Sequence, residues 1–493
     1  MSDYYVAGRL VPGLFNGMAV AVGLLPAIVM TGYAAALSQG WDGATLLVLG
    51  GVGGLLLTAF LIAPYLRKFG GYTLPDFLAE RFGGMGLGPL AVLALIGCSF
   101  PLLAATVLAL GSLTMRLFGV EIETGLALAT AMLLLCCVAA GMRSASLTQI
   151  VQYGVLLGVS LVVMALLLWQ RDALGPIFSV EDIRAAFTKP GLDGFTSAHP
   201  ANRFALLFCL AAGTASLPHL LSRGLVTPTV SEARRSFVWA LPFAAALSLV
   251  AAPYALVAGT SPEVSFTTGL VAIGAVAGCL ALGSALALAI GNAVSYDLYY
   301  KTLHATAATE QRISIARIAV VLAAGLSAWA ALELPDTVLT LAPTAFSLAA
   351  SAFLPALLLG IWWKRATAEG ALAAMIAGLA VCLYYMLTPR YIPFAFYESS
   401  SFLSNATQEA ASRYESLQQS YYLADEAGRA AALAAWEETA RPLANWWGIA
   451  REFAALFAVP VGFLAMIAVS LFTPEPSREV QRFVEDLRKP QPA

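Results

Sequence analysis

The chain has 493 residues, of which 59% are hydrophobic and 11% charged, against roughly 25% charged in a soluble domain. That balance excludes a soluble globular enzyme and sets the chain among proteins that cross a lipid bilayer many times. A formal net charge of −2, with no basic block and no glycine-rich phosphate loop, gives no footing for a nucleic-acid partner.

By the rule that ~20 apolar residues cross the hydrocarbon core, about twelve spans follow in order, near 13–37, 45–66, 88–114, 122–141, 146–170, 201–221, 233–258, 267–299, 312–332, 336–361, 367–388 and 446–472. The N-terminal Met-Ser-Asp-Tyr-Tyr has no basic leader and no cleavage pattern, so no signal peptide is expected there. Cys98, Cys136, Cys137, Cys209, Cys279 and Cys382 fall inside apolar spans without metal-site spacing, as packing residues do. Lysine and arginine are one-sided. Arg67, Lys68, Arg81, Arg143, Arg223, Arg234, Arg235, Lys301, Arg312, Arg317, Lys364 and Arg365 share one side, while the opposite loops near 38–44, 259–266 and 333–335 hold none. The positive-inside rule makes the basic side and both termini cytoplasmic, in the cell inner (plasma) membrane.

Two polar stretches, 171–200 and 389–441, read as external, the second with a helical pattern from Asn405 to Trp436. The tail from Thr473 reads as a cytoplasmic end with one short helix.

Two spans carry helix breakers near their middles. Gly213, Thr214, Ser216, Pro218 and His219 interrupt the sixth, and Gly23 and Pro26 interrupt the first. Proline removes a backbone donor and collides with the preceding turn, and glycine weakens continuity, so both helices are expected to unwind near mid-membrane. Freed backbone groups cannot face lipid, so a discontinuous helix points to a transporter binding site. Five spans separate the two starts, and an odd number inverts the second copy. The fold class expected is an all-α polytopic membrane protein with a five-plus-five inverted-repeat, leucine-transporter-like core. The expected divisions are 1–170 for the first repeat, 171–200 for a loop and 201–361 for the second repeat. An extra helix at 362–388, an insertion at 389–441, a last helix at 442–472 and a tail at 473–493 complete the chain.

Several motifs carry a family resemblance. They are Asp3-Tyr-Tyr-Val-Ala-Gly-Arg9 with Asn16-Gly-Met-Ala19, the run from Ala63 to Phe77, and Gly141-Met-Arg143 with Thr148-Gln-Ile-Val-Gln-Tyr153. Gly213-Thr-Ala-Ser-Leu-Pro-His219, Glu232-Ala-Arg-Arg-Ser236 and Ala293-Val-Ser-Tyr-Asp-Leu-Tyr299 complete the set. Together they resemble the sodium:solute symporter family, and look most similar to its acetate and short-chain monocarboxylate permease branch. The resemblance implies secondary active transport of a small organic acid with a coupling cation. Members usually begin with one more helix before the Asp-Tyr-Tyr stretch, so that helix is expected to be absent here or the start placed late. The family's first core helix typically carries an Asp and a Ser where this chain has Gly23 and Pro26. Its cation-coordinating hydroxyls in the eighth span align with Ala281 and Leu282, and a cavity-side Tyr and Gln in the third span align with Leu102 and Thr106.

The expected substrate-binding set is Gly23, Thr106, Gly213, Thr214, Ser216 and His219, and the expected ion-coupling set is Val22, Leu25, Ala281, Leu282 and Ser284. A hard cation such as Na+ needs several oxygens, which main-chain carbonyls and hydroxyls including Thr31 must supply. The alternative, H+, leaves His219 as the titratable group beside a break. Isolated Ser and Thr hydroxyls in membrane helices usually bond to their own backbone one turn earlier, a competing role for each. Gln149 and Gln152 share one face of the fifth span and suit interhelical bonding. No acidic or basic side chain is expected deep in the core spans, and half-helix N-termini would hold a carboxylate instead. Expected partners are the small organic acid, the coupling cation, the bilayer and, as a candidate, a small accessory membrane protein. No resident cofactor and no enzymatic chemistry are expected. The competing function is a transport-incompetent membrane sensor or regulator of the same fold.

Overall fold

The computed structural model describes residues 1–28, 41–83, 86–139, 141–169, 200–260, 266–335, 341, 344–391, 408–426, 428–443 and 446–489. No strand occurs among them. The first half comprises α1 (Ser2–Val6), α2 (Gly13–Ile28), α3 (Trp41–Leu57), α4 (Ala63–Phe69), α5 (Leu74–Phe82), α6 (Leu87–Phe118), α7 (Ile122–Cys137) and α8 (Met142–Trp169). The second half comprises α9 (Pro200–Thr214), α10 (Pro218–Leu225), α11 (Val230–Thr260), α12 (Phe266–Asn292), α13 (Thr309–Glu333) and α14 (Thr344–Trp362). Outside the repeats stand α15 (Ala368–Tyr391), α16 (Gln408–Leu423), α17 (Arg429–Leu443), α18 (Ala455–Phe472) and α19 (Arg478–Arg488). A π-helical turn, Thr58–Ile62, joins α3 to α4, and a second, Ala293–Leu303, extends α12.

Among the described residues nine helices are long and apolar enough to cross a bilayer, or ten if the bent pair Ser2–Arg9 and Gly13–Leu24 is one span. Three expected spans are described in shortened form. Residues 29–40 after α2 lie outside the described set, α7 has only 16 residues, and the α11 side chains from 248 onward are not described. The loop at 171–199 also lies outside it.

Packing repeats between the halves. α2 lies along α11, and α9 lies along α3; α2 also touches α8, and α9 touches α14. α8 packs on α12 as α14 packs on α6, and the α6–α12 contact maps onto itself. Exchanging the two halves leaves this set of neighbours unchanged, as expected of a structural repeat about a pseudo-twofold axis. α15 and α18, packed on each other, flank the core beside α14.

One expectation is corrected. α2 runs helical through Gly23 and Pro26 as far as Ile28, so the first span is not interrupted where the two breakers stand. A proline deletes one backbone bond, to the carbonyl of Val22, and in a medium without water the remaining helical bonds hold the backbone. The sharp bend lies earlier, 118° between the N-terminal segment and α2, where Ala7, Gly8 and Arg9 all have positive φ.

The basic ends of the helices are tied together by long-range contacts. Arg81, almost fully buried, donates from Nε to the Gly360 carbonyl at 2.8 Å and from Nη2 to the Trp363 and Ala366 carbonyls at 3.3 Å, capping the end of α14. Burial pushes its guanidinium down to about 10, which leaves it charged at neutral pH. Thr73 caps α5 and donates to the Asp297 carboxylate at 2.6 Å, Asp76 pairs with Lys301, and Tyr5 meets Ser295 at 2.5 Å. In the insertion, Tyr414 and Tyr421 pack on the buried Trp436, joining α16 to α17.

Candidate functional site

The sixth span is interrupted where glycine and proline predict. α9 ends at Thr214, the N–H groups of Ser216 and Leu217 both donate to the Gly213 carbonyl at 2.8 Å, and α10 starts at Pro218. Proline fits the first helical position because it has no N–H to leave unpaired, and the Leu220 and Leu221 amides close the first turn on the Leu217 carbonyl at 3.1 and 3.0 Å. The break is wedged between α3 and α14. A Cβ on Gly213 would sit 2.6 Å from the Cβ of Phe346, and one on Gly54 would sit 2.4 Å from the Cβ of Thr214. Glycine at both places lets three helices approach at the interruption.

Side chains around the break divide into two groups. The hydroxyls of Thr106 and Ser216 donate to carbonyls one turn earlier, Leu102 at 2.6 Å and Ala212 at 2.8 Å, the backbone role that competes with ligand binding. The Thr214 hydroxyl is buried and forms no hydrogen bond among the described residues, and the His219 ring is buried. The Gly23 main chain stands beside the imidazole, and a Cβ on Gly23 would touch Leu220 at an ordinary 3.8 Å. Gly23 and His219 therefore meet where α2 packs on α10, while Thr214 stands against Gly54 of α3.

The residues expected to couple the ion form a second, adjoining seam. Val22 and Ala281 share one small buried apolar cluster with Tyr153, Ala21, Ala244 and Leu247. Ser284 and Leu282 are fully buried, and Thr106 stands at the same level, its methyl 3.4 Å from where a Cβ on Gly283 would lie. Leu25 belongs to the α2 backbone; its side chain and that of Pro26, like residue Thr31, lie outside the described set.

Gln149 of α8 enters this seam, donating from Nε2 to the Ala281 carbonyl at 2.8 Å and to the Ser284 hydroxyl at 3.4 Å. Its Oε1 is buried without a partner. The interhelical role expected of Gln149 is thus present, at a position where sequence alone did not place it. Gln152 reaches only the Cys136 sulfur, at 3.8 Å.

Two charged residues are buried at the margins of the core spans. Arg223 and Asp297 are 1% and 5% exposed. Both stand just past or at the ends of the apolar runs, Arg223 in the last turn of α10 and Asp297 in the π-helical extension of α12.

An all-helical core of two exchanged repeats, with one helix interrupted at its middle and unpaired polar groups at the interruption, defines a membrane transporter of the leucine-transporter fold. The sodium:solute symporter family model matches residues 4–264 and 261–378, and the chain belongs to that family. It is 30% identical to an uncharacterized symporter of Cupriavidus necator, over 78% of this chain and 81% of that one. It is 28% identical to a monocarboxylic acid transporter of Corynebacterium glutamicum, over 79% of each chain. Among solved structures it resembles a Na+-coupled sialic acid symporter in a substrate-bound outward-open state, with a TM-score of 0.69 and 16% identity over 97% of this chain and 93% of the other. A nucleobase-cation-symport-1 family transporter in a closed conformation follows at a TM-score of 0.52 and 15% identity, over 98% of both chains. The protein is a multi-pass membrane symporter, a transporter rather than an enzyme, whose partners are a solute and a coupling cation.

Proposed function

We propose that the solute is a short-chain monocarboxylate such as acetate, bound where α2 meets the interrupted α9–α10 pair. The observation that carries this reading is the break itself. The buried Thr214 hydroxyl, without a partner among the described residues, and the His219 ring beside the Gly23 main chain offer hydrogen-bonding groups to one small anion, within walls of Ala, Leu and Val. A sugar would need many more polar partners. The monocarboxylic acid transporter among the relatives supports the same substrate class. Of the expected substrate set, Gly23, Gly213, Thr214 and His219 are proposed as site-forming, with Thr106 and Ser216 as backbone-bonded neighbours.

Na+ is the coupling ion proposed from the family, with the seam of Val22, Leu25, Ala281, Leu282 and Ser284 as its place. There the Ala281 carbonyl already accepts from Gln149. A cation could use that oxygen once the amide turns over and offers its unpartnered Oε1. H+ is the second reading, with the buried His219 imidazole beside the break as its titratable group. The basic face is proposed to be cytoplasmic, in the inner membrane, with the 389–441 insertion outside and the divisions at 170, 200 and 361 as the repeat boundaries.

The test is uptake of labelled acetate, propionate and pyruvate into proteoliposomes with Na+ and H+ gradients imposed separately. Uptake that follows the Na+ gradient is expected. Uptake that follows only H+ transfers coupling to His219. No uptake of any of these acids by folded protein rejects the monocarboxylate reading.

A further inference from the structure

Arg223 is 1% exposed, at the point where α10 meets α2 and α8 near the basic face. Its Nη1 donates to the Ser146 hydroxyl at 2.9 Å, while Nη2 is buried with no partner among the described residues. The Asn16 side chain donates to the Arg223 carbonyl at 2.7 Å and to the Ser236 hydroxyl at 3.0 Å, which holds the backbone here but leaves the guanidinium uncompensated. No carboxylate pairs with Arg223 among the described residues. A guanidinium withdrawn from water and left without a counter-charge is costly inside a membrane protein, and such groups mark ion or substrate routes. His219, also buried, stands one turn earlier on the same face of α10, toward the break.

We infer that Arg223 is a second anion station, between the break and the basic face, where the carboxylate of the solute pairs with the guanidinium on its way across. This rests on the proposed monocarboxylate reading. A planar fork with a free Nη2 suits the two oxygens of a carboxylate, and the Ser146 hydroxyl holds the fork in place. Because Arg223, Asn16 and Ser146 are all buried, the station is closed to the basic face in this conformation and becomes accessible only when α2, α8 and α10 separate there. An anion leaving the break would exchange the dipole of α10 for a full positive charge. The weak side of the cycle, release into an apolar closed seam, would thereby be bridged.

The experiment measures acetate transport from each face of oriented proteoliposomes, for wild type and Arg223→Gln. The expected result is a half-saturation concentration raised by about tenfold or more from the basic face, with that from the other face changed by less than about twofold, as loss of one charge-assisted bond predicts. Equal effects from both faces, or none, overturn the station while leaving monocarboxylate transport standing. A wild type that carries no monocarboxylate overturns both. Should the variant fail to fold, phenylglyoxal modification of the wild type decides the matter, read by mass spectrometry at Arg223. Protection by acetate and not by neutral acetamide supports the station; modification unaffected by acetate overturns it.

Discussion

Gly213 is the residue on which the interruption depends, because three helices converge there and a methyl has nowhere to go. The Cβ of an alanine would fall 2.6 Å from Phe346 Cβ and 2.8 Å from the Phe346 carbonyl oxygen, so α14 would have to shift. Gly213→Ala is expected to destabilise the protein by about 1–3 kcal/mol, as overpacking does, and to lower its melting temperature in detergent. An unchanged melting temperature would show that the break can widen freely. His219 poses a different question at the same scale. If it relays the coupling proton, His219→Ala abolishes the pH dependence of uptake; a pH profile identical to wild type removes the histidine from coupling.

Among the elements, α19 clasps the basic ends of the bundle. Val484 and Leu487 are buried, Phe483 packs edge-on against Phe69, and Lys68 donates to the carbonyls of Asp486 and Lys489. Arg488 reaches the Trp362 carbonyl at 3.3 Å, and Glu485 pairs with Lys364 at 3.0 Å. The hydrogen bond from Lys364 holds the Glu485 carboxyl below its ordinary value, as Lys489 does for Asp486. A carboxylate with a depressed folded value contributes above the ordinary value of about 4.3 and loses that contribution as pH falls through the lowered one. The clasp is therefore expected to hold at neutral pH and to loosen below about pH 4. Protease cutting around Ser477 should rise over that range; cutting that stays flat would assign the docking to the apolar contacts alone.

At the scale of the whole molecule, both described ends of the chain lie on one face. Arg9 donates to the Gly70 carbonyl, and α19 sits on Lys68 two residues away in sequence. Tags at the two termini should be cleaved from the same side of sealed vesicles, and from the cytoplasmic side if the positive-inside rule holds. Cleavage from opposite sides would contradict this arrangement. The exchange symmetry of helix contacts places α2 and the α9–α10 pair at equivalent positions, as two structural repeats require.

What the sequence determined by itself was the span pattern, the broken sixth helix, the one-sided charge and the family. All of these follow from local quantities. Hydropathy over ~20 residues sets a span, and the missing N–H of Pro218 beside Gly213 sets a break. The same local reasoning failed at Gly23 and Pro26, where α2 stays helical because the apolar surroundings offer its backbone no other partner.

Only the tertiary structure decided which polar groups are satisfied. Thr106 and Thr214 are alike in sequence, yet one donates to Leu102 and the other has no partner among the described residues. Gln149 meets Ala281 across 132 positions of chain, and the solitude of Arg223 is a property of three converging helices. Satisfaction of a buried polar atom depends on groups brought within about 3 Å by packing, and no local pattern records that distance.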